Sequence, residues 1–185
     1  QYHNEWGSAG WNTAGVGESS TETIFSSPEA LKADPYVADG LSECCTYNIV
    51  LPYIKTAREG VKRLGALIEK YGSAEGFGIG FIDDKETWYL ENAGGHRWLA
   101  CRMPADKYFV TGNQSRYRHY DPNDKDNFMA SADLIEFAEK NGLYDPKKGE
   151  FDFHEAYSKD DIADTTYNYP RVWGLQGLFS PDIKN

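Results

Sequence analysis

Between residues 56 and 102 the spacing of apolar residues changes once, from three-and-four to two, and that change limits the chain to helices packed on an antiparallel sheet. Ala57, Val61, Leu64, Ile68 and Tyr71 recur at helical spacing. The run Thr56-Ala-Arg-Glu59 ahead of them has the form of a capping box, in which the Thr and Glu side chains satisfy amides that a helix start leaves bare. Gly72 is the matching stop signal. From there the period is two. Residues 76–82, 87–91 and 96–102 are predicted as three strands of a meander, turning at Asp83-Asp84-Lys85 and at Asn92-Ala-Gly-Gly95.

The flanking sequence adds shorter elements. Residues 16–25 are predicted to hold a strand, and 26–40, with Pro28 and Pro35, a loop. Residues 41–51 have the character of a short buried helix stopped by Pro52. A fourth strand of the meander is placed at 108–111. Ser131 is expected to cap a helix carrying Leu134, Ile135 and Ala138 and ending at Gly142. Two more helices are expected at 153–157 and 171–179. The sum is an α+β layered fold, and 185 residues suffice for one domain with a sizeable core.

Charge and cysteine usage exclude several functions. A net charge of −10, with no basic run to relieve it, argues against nucleic-acid binding. No stretch approaches the roughly 20 apolar residues of a membrane helix, so no membrane partner is expected. Residues 1–10 carry no basic region followed by an apolar run, and no signal peptide is read there. The three cysteines, two of them adjacent at Cys44 and Cys45, do not make a disulfide framework. Reduced thiols and the cytoplasm are the expectation.

Motifs for chemistry are sparse. Gly76-Phe-Gly-Ile-Gly80 lacks the spacing of a phosphate-binding loop and is followed by no helix; alternating glycines in a strand rather let another segment approach closely. His3, His96, His119 and His154 are scattered, so neither a metal nor any other cofactor is expected, and His96 is read as a satisfied structural histidine. Asp83-Asp84 and Asp160-Asp161 look like solvated turns. No G-x-S-x-G elbow is present, and Cys44-Cys45 is assigned to core packing. Glu22, in a Ser-Thr-Glu-Thr stretch bordered by apolar residues, needs a partner if buried: it is either a hydrogen-bond hub or a receptor for a cationic substrate group. The residues by themselves give an acidic α+β domain with no self-evident catalytic group.

Several motifs in their order resemble those of the bacterial cysteine dipeptidases, relatives of the choloylglycine hydrolases and penicillin V acylases. They are Trp6-Gly-Ser-Ala-Gly-Trp-Asn12 with Gly15-Val16 and Ser20-Thr-Glu-Thr-Ile24, then Leu51-Pro-Tyr-Ile with Thr56-Ala-Arg-Glu-Gly60 and Leu64-Gly65. Glu86-Thr-Trp-Tyr-Leu-Glu91, Gly94-Gly-His-Arg-Trp-Leu-Ala100, Asn113, Ser131-Ala-Asp-Leu134 and Tyr169-Pro-Arg171 follow. The likeness covers nearly the whole chain. It implies a four-layer αββα N-terminal-nucleophile (Ntn) hydrolase sandwich with antiparallel sheets, and hydrolysis of dipeptides or short peptides. In such enzymes an N-terminal cysteine thiol attacks the carbonyl while its own α-amino group, with an ordinary pKa near 8, serves as the base.

By that resemblance Asn113 lines the oxyanion hole or touches the nucleophile's amine, and Arg171 is the fixed cation that favours thiolate. Thr21 and Glu22 bind substrate, Glu22 by receiving the free α-ammonium group. Asn12 is structural, holding the turn before its strand. The family's leading cysteine and the arginine and acid around it have no counterpart here, so residues 1–185 are expected to be an internal piece of one such domain, cut at both ends. A sheet edge left unpaired by a missing strand would favour a homo-oligomer. Two other readings stand beside the dipeptidase: an amidase for bile-salt or penicillin-like amides on the same fold, and a catalytically inactive peptide-binding fragment.

Overall fold

A computed structural model describes residues 9–22, 24–160, 162 and 164–182, and of Glu22 the backbone alone. His3, Trp6, Thr23 and Asp161 lie outside the described residues. Six strands form one antiparallel sheet in chain order: β1 Ala9–Trp11, β2 Gly17–Glu22, β3 Phe77–Ile82, β4 Thr87–Ala93, β5 Arg97–Met103 and β6 Phe128–Ala130. The three-strand meander is thus as expected, and α+β describes the chain. The fourth neighbour of the meander is β6 and not residues 108–111, which run as irregular backbone.

Strand alternation divides the core in two. Phe77, Ile79, Phe81, Trp88, Leu90, Trp98 and Ala100 belong to one cluster with Ala57, Val61, Leu64 and Ile68 of α3 Ala57–Tyr71. Thr56 caps α3 by accepting from the Glu59 amide at 3.2 Å, and Glu59 reaches back one residue further than expected, to the Lys55 amide at 2.7 Å. Gly72, at φ +75°, ends the helix. Tyr71, expected on the apolar face, is half exposed instead. Asp83 does more than turn a hairpin, since its second carboxylate oxygen accepts from the Ala57 amide at 2.7 Å and ties the β3–β4 turn to the start of α3.

The other face carries Tyr89, Ala93, Leu99 and Cys101, packed with Ala30 of α1 Pro28–Ala33, Leu134 and Ala138 of α4 Leu134–Lys140, and Phe153 and Tyr157 of α5 Phe153–Tyr157. Helix α1 sits inside the segment expected as a loop; Ser27 caps it, and Pro28 occupies its first turn, where a missing amide costs nothing. Ser131 does not cap α4. Its hydroxyl accepts from the Trp98 amide at 3.3 Å, joining β5 to the chain after β6, and Asp133 takes the cap position. Residues 41–53 form two 3₁₀ turns flanking α2 Thr46–Val50. The chain closes with a π-helical turn, Asp164–Asn168, running into α6 Tyr169–Phe179. Only Val172 of α6 is buried, while Trp173, Leu175, Leu178 and Phe179 face outward.

Two structural expectations hold. Asn12 accepts from the amides of Ala14 and Val16, each at 3.0 Å, and donates to the carbonyls of Leu51 (2.8 Å) and Ile54 (2.9 Å). His96 pairs through Nδ1 with the buried Asp34 at 2.7 Å, and its amide donates to the same carboxylate.

Candidate functional site

Residues 104–127 join β5 to β6 without entering the sheet, and around Asn113 side-chain hydrogen bonds hold this segment and bring two of the expected site residues together. Arg171, in the first turn of α6, donates through Nη2 to Asn113 Oδ1 at 2.7 Å. A guanidinium offers only donors, so the Asn113 amide must turn its oxygen to Arg171. Arg171 is itself located by the Tyr167 carbonyl, 2.8 Å from Nε, and by stacking 3.7 Å from the centre of the Tyr167 ring.

Behind this pair lies a buried residue that the sequence reading missed. Asn168 accepts from the Asn113 amide at 2.9 Å and donates to the Asn113 carbonyl at 3.1 Å, in the manner of a strand partner. It also receives a hydrogen bond from Arg171 and gives one to Asp164 at 2.6 Å. Asp164 and Asn168 are both fully inside the protein. Gly112 makes the approach possible, since a Cβ there would stand 2.7 Å from Asn168 Oδ1. The available signal was the i, i+4 spacing of Asp164 and Asn168 just ahead of Pro170-Arg171.

Thr21, expected to bind substrate, lies on the sheet face that carries Tyr89. Its hydroxyl is 3.1 Å from the Tyr89 hydroxyl, which also bonds to Thr111, two residues before Asn113. Gly78, opposite Thr21 in the ladder, leaves the room that the Tyr89 hydroxyl fills. Gly78 therefore serves close approach, as expected, and so does Gly76, where a Cβ would overlap the Ile24 carbonyl oxygen, whereas at Gly80 the nearest neighbour would be 3.6 Å away. Glu22 pairs with Phe77 in the backbone ladder; its side chain is outside the described residues. Tyr89, Phe109 and Tyr117 form an aromatic group with ring centres 5.1–6.4 Å apart. Beside it opens a cleft of about 690 Å³, whose lining includes Gly80, Tyr89, Phe109, Glu86, Arg102 and Lys107. That size suits a small-molecule ligand.

The three thiols sit elsewhere or are suppressed. Cys45 packs against the α3-side core and donates to the Ser42 carbonyl at 3.0 Å, and Cys44 meets the Ser42 hydroxyl at 3.1 Å. Cys101 is buried beside Tyr117, and burial first, then the Glu91 charge, pushes its thiol well above the usual range. Among the described residues no group of three or more metal-ligating side chains converges.

The whole chain, residues 1–185, matches the model of Peptidase family C69. It is 59% identical over 181 residues to a probable dipeptidase of Salmonella dublin, a match that covers 97% of this chain and 42% of that protein. It is 42% identical to a probable dipeptidase of Latilactobacillus sakei, covering 95% of this chain and 37% of the relative, and 36% identical to dipeptidase A of Lactobacillus helveticus, covering 96% and 38%. These 185 residues therefore span about two fifths of the length of the curated relatives they match. The chain belongs to Peptidase family C69, a cysteine peptidase family of the Ntn type.

Proposed function

We propose that the protein containing these residues is a cysteine-type dipeptidase, and that Asn113 and Arg171 stand at its reacting centre. The observation that carries this reading is the Asn113–Arg171 contact itself, backed by the buried Asn168 and Asp164. Such a pair offers what acyl transfer from an amide requires. A neutral amide donor can stabilise an oxyanion without titrating, and a fixed cation favours a neighbouring thiolate. Thr21 belongs to the same neighbourhood through Tyr89 and Thr111, so we assign it, with Glu22, to substrate binding. Dipeptides are the proposed substrates, a choice supported by the names that the relatives carry.

The nucleophile is proposed to lie in a part of the protein outside residues 1–185. Support comes from the two-fifths coverage of the relatives, from the packing of Cys44 and Cys45 around Ser42, and from the burial that pushes the Cys101 thiol up. On the same grounds the sheet is proposed to be one of the two in an αββα sandwich, with residues 1–185 an internal piece of that single domain.

The test is dipeptide hydrolysis by the full-length protein with and without a thiol-alkylating agent, repeated with Asn113→Ala. Loss of an oxyanion donor is expected to lower kcat by about a hundredfold or more with little change in KM. Full turnover in Asn113→Ala would refute the assignment. Alkylation-sensitive turnover by residues 1–185 alone would return the nucleophile to one of the three cysteines present.

A further inference from the structure

Glu91, the last residue of the Glu86-Thr-Trp-Tyr-Leu-Glu91 run, is a carboxylate on β4 with no exposure to solvent. Its cross-strand partners are Gly78 on β3, which has no side chain, and Leu99 on β5. The carboxylate therefore has no partner within the sheet and is satisfied entirely from the segment after β5. Ser115 Oγ donates to it at 2.7 Å and the Arg116 amide at 2.8 Å, with the Tyr117 amide a third donor. The Tyr117 hydroxyl then donates to the Tyr89 carbonyl at 2.8 Å, two residues before Glu91 on the same strand. These bonds fix residues 115–117 to the sheet, immediately after Asn113, in a stretch with no ladder of its own.

We propose that Glu91 is a positioning residue: its carboxylate anchors the 112–117 segment so that Asn113 meets Arg171 and Asn168, and protonation of Glu91 releases that anchor. The inference rests on the dipeptidase reading above. A carboxylate accepts from three donors at once, whereas a carboxylic acid must turn one oxygen into a donor and face an N–H or O–H with it. Burial raises the pKa of Glu91 to about 7, against the pull of the Ser115 hydroxyl and the amides of Arg116 and Tyr117. The other groups facing it are Tyr89 on β4, Cys101 on β5, and Arg116 and Tyr117 on the segment. Burial drives Tyr89, Cys101 and Tyr117 upward, so they stay neutral around pH 7. Within this cluster Glu91 is then the group that changes charge around pH 7, and activity dependent on it is lost as pH falls through about 7.

The experiment compares the full-length wild type with Glu91→Gln across a range of about pH 5.5 to 8.5, reading kcat/KM for one dipeptide. The ratio of wild type to variant cancels the titration of the nucleophile. Losing a charge-assisted acceptor should make that ratio about ten to a hundred at the alkaline end and bring it near one at the acid end, where wild-type Glu91 is itself neutral. A ratio that stays constant across the range overturns the role of Glu91. Ser115→Ala is the second variant, which leaves the carboxylate in place. Without the Ser115 hydroxyl its pKa should rise, moving the acid limb of activity upward by about one pH unit. An unmoved limb overturns the proposal even if Glu91→Gln does not fold. Wild-type turnover insensitive to alkylation would instead remove the cysteine-dipeptidase reading and leave the anchoring geometry untouched.

Discussion

Replacing Glu18 by glutamine should stabilise the protein at alkaline pH and leave its stability almost unchanged in acid. Glu18 lies opposite Phe81 on the sheet face covered by α3, with 4% of its surface exposed. Neither carboxyl oxygen has a hydrogen-bond partner of good geometry among the described residues. The Thr46 hydroxyl offsets the burial only in part, because its own proton is directed to the Glu43 carbonyl at 3.0 Å. Burial therefore raises the Glu18 pKa from 4.5 to about 7. An acid whose pKa is raised by folding binds its proton more tightly in the native state. Its contribution is complete below the unfolded pKa and is lost as pH rises through the folded one. The gap between 4.5 and about 7, at about 1.4 kcal/mol per pKa unit, corresponds to about 3 kcal/mol of stability lost as pH rises from the unfolded pKa through the folded one. Glutamine has nearly the same shape, buries a comparable neutral group and carries no proton to lose. Urea unfolding followed by tryptophan fluorescence should show Glu18→Gln more stable than wild type by about 3 kcal/mol near pH 8.5, the two converging below the unfolded pKa of 4.5. An equal loss of stability at both pH values would refute the reasoning, since it would mean that the carboxylate has a partner and is held ionised.

Two further outcomes follow from packing and hydrogen bonding. Gly65→Ala, which in an exposed helix would add up to about 1 kcal/mol, should instead destabilise by about 1–3 kcal/mol, because the Trp98 indole lies where the new methyl group must go. A gain in the urea midpoint would contradict that contact. Asn12→Ala removes two acceptor and two donor bonds linking the β1–β2 turn to Leu51 and Ile54, and should cost about 2–4 kcal/mol; Asn12→Asp should recover part of that by keeping the acceptors for Ala14 and Val16. Equal losses in the two variants would show that the turn bonds contribute nothing.

The elements that periodicity revealed are those whose own residues decide their structure. Helix α3 carries its cap, its stripe and its stop within 17 residues from Thr56 to Gly72, and β3 to β5 are short runs, buried along most of their length, set between short turns. Residues 108–111 were misread because Tyr108 and Phe109 have strand-like character, yet Phe109 goes to the Tyr89–Tyr117 group and Tyr108 to Phe179. Ser131 carries a cap signature, but the Trp98 amide of a neighbouring strand claims its hydroxyl, a competition that local sequence does not contain. The same holds for the site. Asn113 and Arg171 were reached through resemblance, whereas Asn168, Asp164 and Glu91 are polar residues whose meaning comes from burial against distant partners. An acid in an acidic chain looks solvated until the segment that covers it is known.

The contact between Asn113 and Asn168 spans 55 positions of the chain, while every neighbour in the β3–β5 meander is joined by a short turn. Loop-closure entropy delays such a contact relative to the local ones, so the meander with α3 condenses early and the Asn113–Arg171 pair assembles late. Helix α6, with only Val172 inside, is also held by few apolar contacts. Amide exchange would therefore find its protons opening well below the global unfolding energy, without any sheet ladder breaking. The Asn113–Arg171 contact is then made only while that helix is docked, so its population follows the local opening of α6 and not the stability of the sheet.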